Sequence, residues 1–154
     1  MIQLILHLVG DYVTQSDWMA QNKTKAFWPA FVHALVYSLP FAVIASEAAW
    51  WVIFVTHFFI DRYRLALYLV YAKNRLFDWN WLMCGDEAFL AIDAHFGDDK
   101  EAKRQLANIK RWKWTNCCVT GYPSDMPPWL ATWLLIAADN TLHLAINAAA
   151  LTWL

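Results

Sequence analysis

The stretch HFFIDRY, residues 57–63, follows the apolar run AAWWVIFVT at residues 48–56. Nothing in an apolar helix requires a histidine and an aspartate four residues apart. In a helix that spacing stacks two side chains on one face, a turn apart. His57 and Asp61 form such a pair, and so do His7 and Asp11 in HLVGDY. Asp139 and His143 in DNTLH repeat it in reverse order, and His33 stands alone in FVHALVY. Four of the five histidines of the chain therefore lie in apolar helical stretches, three of them beside an aspartate.

Around these residues the chain reads as an all-α, polytopic membrane bundle. Of its 154 residues 60% are hydrophobic and 16% charged, against roughly 45–50% and 25% in soluble domains. Apolar helical patterns cover about residues 1–20, 26–45, 47–75 and 128–154, the second with Pro29 in its first turn and a kink expected at Pro40. Ser46 reads as the N-cap of the third. Residues 76–127 form a polar, partly helical insert, so the chain reads as one helical membrane domain, 1–154, interrupted by that insert. Within the insert, DEAFLAIDAHF and DDKEAKRQLANIKRWK have helical character.

Charge sidedness supports four crossings. The twelve Lys and Arg residues fall at Lys23 and Lys25, from Arg62 to Arg75, and from Lys100 to Lys113. Four crossings put all three places on one side, which the positive-inside rule makes cytoplasmic. The expected location is a bacterial inner membrane with the insert in the cytoplasm. Trp28 and Trp129 then fall at one interface and Trp50, Trp51 and Trp153 at the other, where amphipathic rings accumulate. RWKW at 111–114 suits anionic headgroups. A net charge of -1 gives no footprint for a nucleic-acid polymer, and the expected partner is membrane lipid. The sequence leaves the oligomeric state open.

Three aspartates in apolar helices are costly, each about 2.5–3.5 kcal/mol at a bilayer centre. Away from the polar last turns of the third stretch, which hold Lys73 and Arg75, the cations within the apolar stretches are essentially Arg62 and Arg64. A divalent metal offsets the cost directly, and bundle-core metal sites are built from carboxylates and histidines on facing helices. The candidate ligands are His7, Asp11, His33, His57, Asp61, Asp139 and His143. Seven exceed the needs of one tetrahedral ion, so two ions sharing a bridging aspartate are expected, drawn from Zn, Mn or Fe. Gln15, Tyr37, Asn140 and Asn147 are candidates to orient the ligands. The cysteines, Cys84, Cys117 and Cys118, are odd in number with two adjacent, which argues against a disulfide framework. A zinc site joining them to His95 lacks a C-x2-C pair.

The segments HLVGDYVTQSDWMAQNK, VHALVY, THFFIDRYR and ADNTLHL resemble a family of small bacterial and phage membrane proteins known as domain of unknown function 3307. His7, Asp11, Gln15, Lys23, His33, His57, Asp61, Asp139 and His143 occupy its motif positions. The H-x3-D signature is also similar to that of membrane proteins described as metal-dependent hydrolases and, more distantly, of zinc-dependent phospholipase C.

The expected chemistry is hydrolysis of a phosphoester, on a lipid phosphate or a small phosphorylated substrate. Asp11, Asp61 and Asp139 are the expected catalytic carboxylates. Lys23, Arg62 and Arg64 are expected to hold the phosphate. The alternative is a metal-stabilised, non-catalytic membrane protein, such as a phage-type modulator of a host complex. The chain has no H-E-x-x-H, no G-x-S-x-G and no P-loop.

Overall fold

The computed structural model describes residues 1–77 and 113–154, and every regular element among them is helical. Helix α1, Ile2–Leu8, runs into a wider π turn, Val9–Val13, closed by the Thr14 N–H on the Val9 carbonyl at 3.0 Å. Ser16 then caps α2, Asp17–Asn22, its hydroxyl accepting the Met19 N–H. Helix α3, Phe27–Ser38, tightens into a 3-10 turn over Leu39–Val43. Pro40 has no N–H to extend the α ladder, which accounts for the change. Ser46 caps α4, Glu47–Tyr63, by accepting the Ala49 N–H at 3.1 Å, as the sequence predicts. Helix α4 ends at Arg64, which adopts the left-handed conformation (φ 53°). Helix α5, Leu65–Leu76, and a short α6, Trp114–Cys117, precede α7, Pro128–Trp153.

The all-helical expectation holds for the described residues, and the expectation of four spanning helices does not. Among the described residues, only Pro128–Trp153, at 26 residues, is long and apolar enough to cross a bilayer. The breaks have identifiable causes. The stretch expected as one helix over 1–20 divides at the Ser16 cap, and the one expected over 47–75 divides at the left-handed Arg64. The apolar segments Ile2–Val13 and Phe27–Val43 are shorter than a span, and the 17 residues of α4 rise only about 25 Å. DEAFLAIDAHF, most of DDKEAKRQLANIKRWK, Cys84 and His95 lie outside the described residues.

The described residues form two compact units. The first comprises Met1–Ala66 with Ala137–Leu154. Its apolar core holds Tyr37, Phe41, Ala49, Ile53 and Ala150, with Leu6, Ile44 and Leu151 packed against them. Ser46 Oγ donates to the Leu154 carbonyl at 3.1 Å, tying the end of α7 to the start of α4. Trp50 Nε1 donates to the Ser38 carbonyl at 2.9 Å, where α3 changes pitch. Gly10 lies against α3 so closely that a Cβ would come 2.6 Å from Tyr37 Cδ2. The second unit is Leu67–Ile136. In it Tyr68 stacks on Trp114, with centroids 5.3 Å apart, and Gly121 (φ +78°) meets the Leu67 carbonyl where a Cβ would stand 2.7 Å away.

The first unit turns large apolar side chains outward. Leu4, Ile5, Trp28, Trp51, Val55 and Phe59 are all exposed. Its buried polar groups are His7, Asp11, His33, Ser38, His57, Asp61, His143 and Asn147.

Candidate metal centre

Four elements bring six of the seven candidate ligands together inside the first unit, and His7, on α1, joins neither group. The π turn buries the consecutive residues Gly10 and Asp11. Such turns inside α-helices are frequent at functional sites. Helix α3 supplies His33, α4 supplies His57 and Asp61, and α7 supplies Asp139 and His143.

Asp11, His33, His57 and Asp61 form one buried group whose ligand atoms all lie within 4.8 Å of one another. His33 Nε2 is 3.0 Å from Asp61 Oδ2, 3.2 Å from Asp11 Oδ1 and 3.1 Å from His57 Nε2. His57 Nε2 is 3.2 Å from Asp61 Oδ2 and 3.6 Å from Asp11 Oδ1. Ligands about 2.0–2.1 Å from a tetrahedral ion stand about 3.3 Å apart, so the spacing suits an ion at their centre. Asp61, Asp139 and His143 form a second group. Asp61 Oδ1 is 3.3 Å from His143 Nε2, which in turn is 3.7 Å from Asp139 Oδ2. Asp61 belongs to both groups, with Oδ2 facing the first and Oδ1 facing His143.

The first group contains a hydrogen-bond conflict. His33 Nε2 has one site, a lone pair or a hydrogen. Within 3.2 Å of it stand Lys23 Nζ, a donor, and the oxygens of Asp11 and Asp61. His57 Nε2 crowds the same point. No single tautomer serves these neighbours together. Asp11 Oδ1 is buried without a hydrogen bond, although it lies close to both rings. Lone pairs converging on one point are what a cation requires.

Lys23 comes from the α2–α3 loop and donates to Asp61 Oδ2 at 2.9 Å. Burial opposes the charge on Lys23, yet Asp61 and Asp11 outweigh it and raise the lysine pKa above its ordinary value. The sequence offers Arg62 and Arg64 as balancing cations, and Lys23, Arg62 and Arg64 together as the groups expected to hold a phosphate. Arg62 instead donates to the carbonyls of Thr24 (2.6 Å) and Lys25 (3.4 Å), fastening the loop that carries Lys23. Arg64 caps α4.

His7 stands behind Asp11, its Nδ1 3.6 Å from Oδ2. Its two nitrogens face Tyr37 Oη (2.8 Å) and Asn140 Oδ1 (3.1 Å). The amide oxygen accepts, so His7 Nε2 carries a hydrogen and Nδ1 is free to accept from Tyr37. Asn147 Nδ2 donates to the same phenol at 2.7 Å, and the Tyr37 ring lies flat on His57, centroids 3.6 Å apart. Tyr37 and Asn140 thus hold the His7 ring between them, Asn147 fixes the Tyr37 hydroxyl, and the Tyr37 ring packs on His57. Gln15 Oε1 is buried without a hydrogen bond. The Nδ1 atoms of His33 and His57 are likewise buried and unbonded.

Two contributors escaped sequence reading. Gly10 permits the close approach of the π turn to Tyr37, and a glycine inside an apolar helix is a readable signal for such an approach. Tyr12 accepts from Asn140 Nδ2 at 2.7 Å, and only its place beside Asp11 hinted at this.

A family model described as a protein of unknown function, DUF3307, matches residues 1–83. That span holds both histidines and both aspartates of the four-residue group. No curated protein and no solved structure matches the chain.

Proposed function

We propose that this chain, which belongs to the DUF3307 family of proteins of unknown function, is a membrane-embedded metal-dependent hydrolase of phosphoesters. The observation that carries the reading is the convergence of His33 Nε2, His57 Nε2, Asp11 Oδ1 and Asp61 Oδ2 within a buried space of 4.8 Å. Imidazole with carboxylate and no thiolate suits Zn, Mn or Fe. Asp61, with one oxygen toward each group, suits a bridge between two ions. A divalent ion there would supply a hydroxide nucleophile near neutral pH and stabilise a leaving oxygen.

The two groups differ in access. The Asp61 side chain is 3% exposed, whereas that of Asp139 is 31% exposed. A closed ligand set suits a structural ion and an open one suits catalysis. The Asp139 side is therefore the side from which water and substrate approach, and Asp139 is the carboxylate placed to accept a proton from the attacking water. The exposed apolar exterior, with the long apolar α7, supports a site in a membrane, for which we propose the bacterial inner membrane. A lipid phosphate fits that location best among phosphoesters.

The test is hydrolysis of phosphatidic acid and of a soluble aryl phosphate by detergent-purified protein, after chelation and after reloading with Zn or Mn. Metal-dependent turnover lost in Asp139→Asn supports the hydrolase. Its absence, with metal bound, favours the second reading, a metal-stabilised membrane protein without catalysis. The burial of the four-residue group is what favours that alternative.

A further inference from the structure

Lys23 is the unexpected member of the cluster. Its ammonium lies 2.9 Å from Asp61 Oδ2 and 3.2 Å from His33 Nε2. Both atoms are ligands of the proposed four-residue metal group. An ion about 2.0–2.2 Å from Asp61 Oδ2 would then stand within about 5 Å of Nζ. At that separation, and away from water, a monovalent and a divalent cation repel strongly. A lysine ammonium has donors only, so its bond to His33 Nε2 uses the lone pair that a metal needs. The three carboxylates nearby, Asp11, Asp61 and Asp139, carry three negative charges against this one lysine.

We infer that Lys23 is a resident counter-ion that competes with metal for the four-residue group and sets how tightly, and with how many ions, the site is filled. The inference rests on the metal reading. It deepens that reading by naming a residue that determines cation occupancy. Lys23 belongs to the loop between α2 and α3, not to a helix face, so it can withdraw without disturbing His33, His57 or Asp61. Arg62 holds Thr24 and Lys25, which leaves the lysine side chain as the part that moves. Removing the ammonium while keeping the stem, as in Lys23→Met, frees the His33 lone pair and the Asp61 oxygen together. Lys23→Arg keeps the charge and preserves the competition.

The experiment titrates Zn2+ into chelated, full-length protein in detergent, comparing wild type, Lys23→Met and Lys23→Arg by calorimetry and bound-metal analysis. The expected result is zinc binding about tenfold or more tighter in Lys23→Met, with Lys23→Arg no tighter than wild type. Unchanged or weaker binding in a folded Lys23→Met overturns the competition while leaving the metal site standing. No zinc on any of the three overturns both. A second readout needs no variant. Amine-reactive acylation of wild type, mapped by peptide mass spectrometry, should rise at Lys23 when zinc is added. Acylation of Lys23 that stays constant while zinc is bound overturns the inference even if Lys23→Met fails to fold.

Discussion

The inside and the outside of the first unit reverse the arrangement of an ordinary water-soluble domain. Inside, His33, His57, Asp61 and His143 are buried with their polar atoms facing one another. Outside, Trp28 is 67% exposed and Trp153 80% exposed. The apolar core beside the cluster is small, built on Tyr37, Phe41 and Ile53. In water such an exterior would be a large apolar patch, which marks an interaction surface. The interior invests burial in charge, which is costly unless every charge is paired. The difference teaches that the constraint on this sequence lies inside, at a few ionisable side chains, while the exterior has only to stay apolar.

That contrast can be broken most severely at Asp61, which serves both ligand groups and the Lys23 ion pair. Asp61→Asn should abolish metal retention and leave Lys23 buried without its main counter-charge, a loss of about 3–5 kcal/mol. Metal analysis and thermal unfolding read the two effects separately. Next in size is Tyr37→Phe, which removes the hydroxyl that joins His7 to Asn147 but keeps the ring on His57. It leaves the buried His7 Nδ1 and Asn147 Nδ2 without their shared partner and should cost about 1–3 kcal/mol of stability, with metal stoichiometry unchanged. Gly10→Ala presses a methyl into the Tyr37 ring and should cost about 1–3 kcal/mol of stability, visible as a lowered Tm. The smallest effect belongs to the exterior: Val55→Leu or Phe59→Leu should change stability by no more than about 0.5 kcal/mol, because one apolar surface replaces another. An exterior change as damaging as Tyr37→Phe would erase the distinction between the two regions.

Acid should act on the interior alone. A histidine must be neutral to bind a metal, so affinity falls as pH drops through the ordinary imidazole range, near about 6.5. Zinc affinity measured between neutral and mildly acidic pH should decrease, and a flat profile would remove the histidines from the ligand set.

Much of this interior was legible because helix periodicity is local. His57 and Asp61 share a face of α4 whatever surrounds it, and their atoms meet at 3.2 Å. The other two pairs were read on the same rule, yet their members stand 3.6 and 3.7 Å apart. Asp11 lies closer to His33 of another helix, at 3.2 Å, because the π turn shifts it. Such a turn has no sequence signal beyond Gly10. The contact of Lys23 with Asp61 and His33 is not legible in the sequence, because a lysine in a loop gives no sign of how far inward it reaches. The helix breaks divide in the same way. Ser46 reads as a cap from the sequence, whereas Ser16 passes unread inside the stretch 1–20 and Arg64 carries a side chain that ordinarily avoids the left-handed conformation it adopts.

The central claim is that the buried histidines and aspartates hold a cation. Its most direct test is the metal-to-protein ratio of wild type and Asp61→Asn, purified in detergent, stripped with chelator and reloaded with Zn or Mn. Wild type should retain one to two equivalents, in keeping with the two ligand groups, and Asp61→Asn essentially none. Wild type that retains no metal, or a variant that retains as much as wild type, would contradict it.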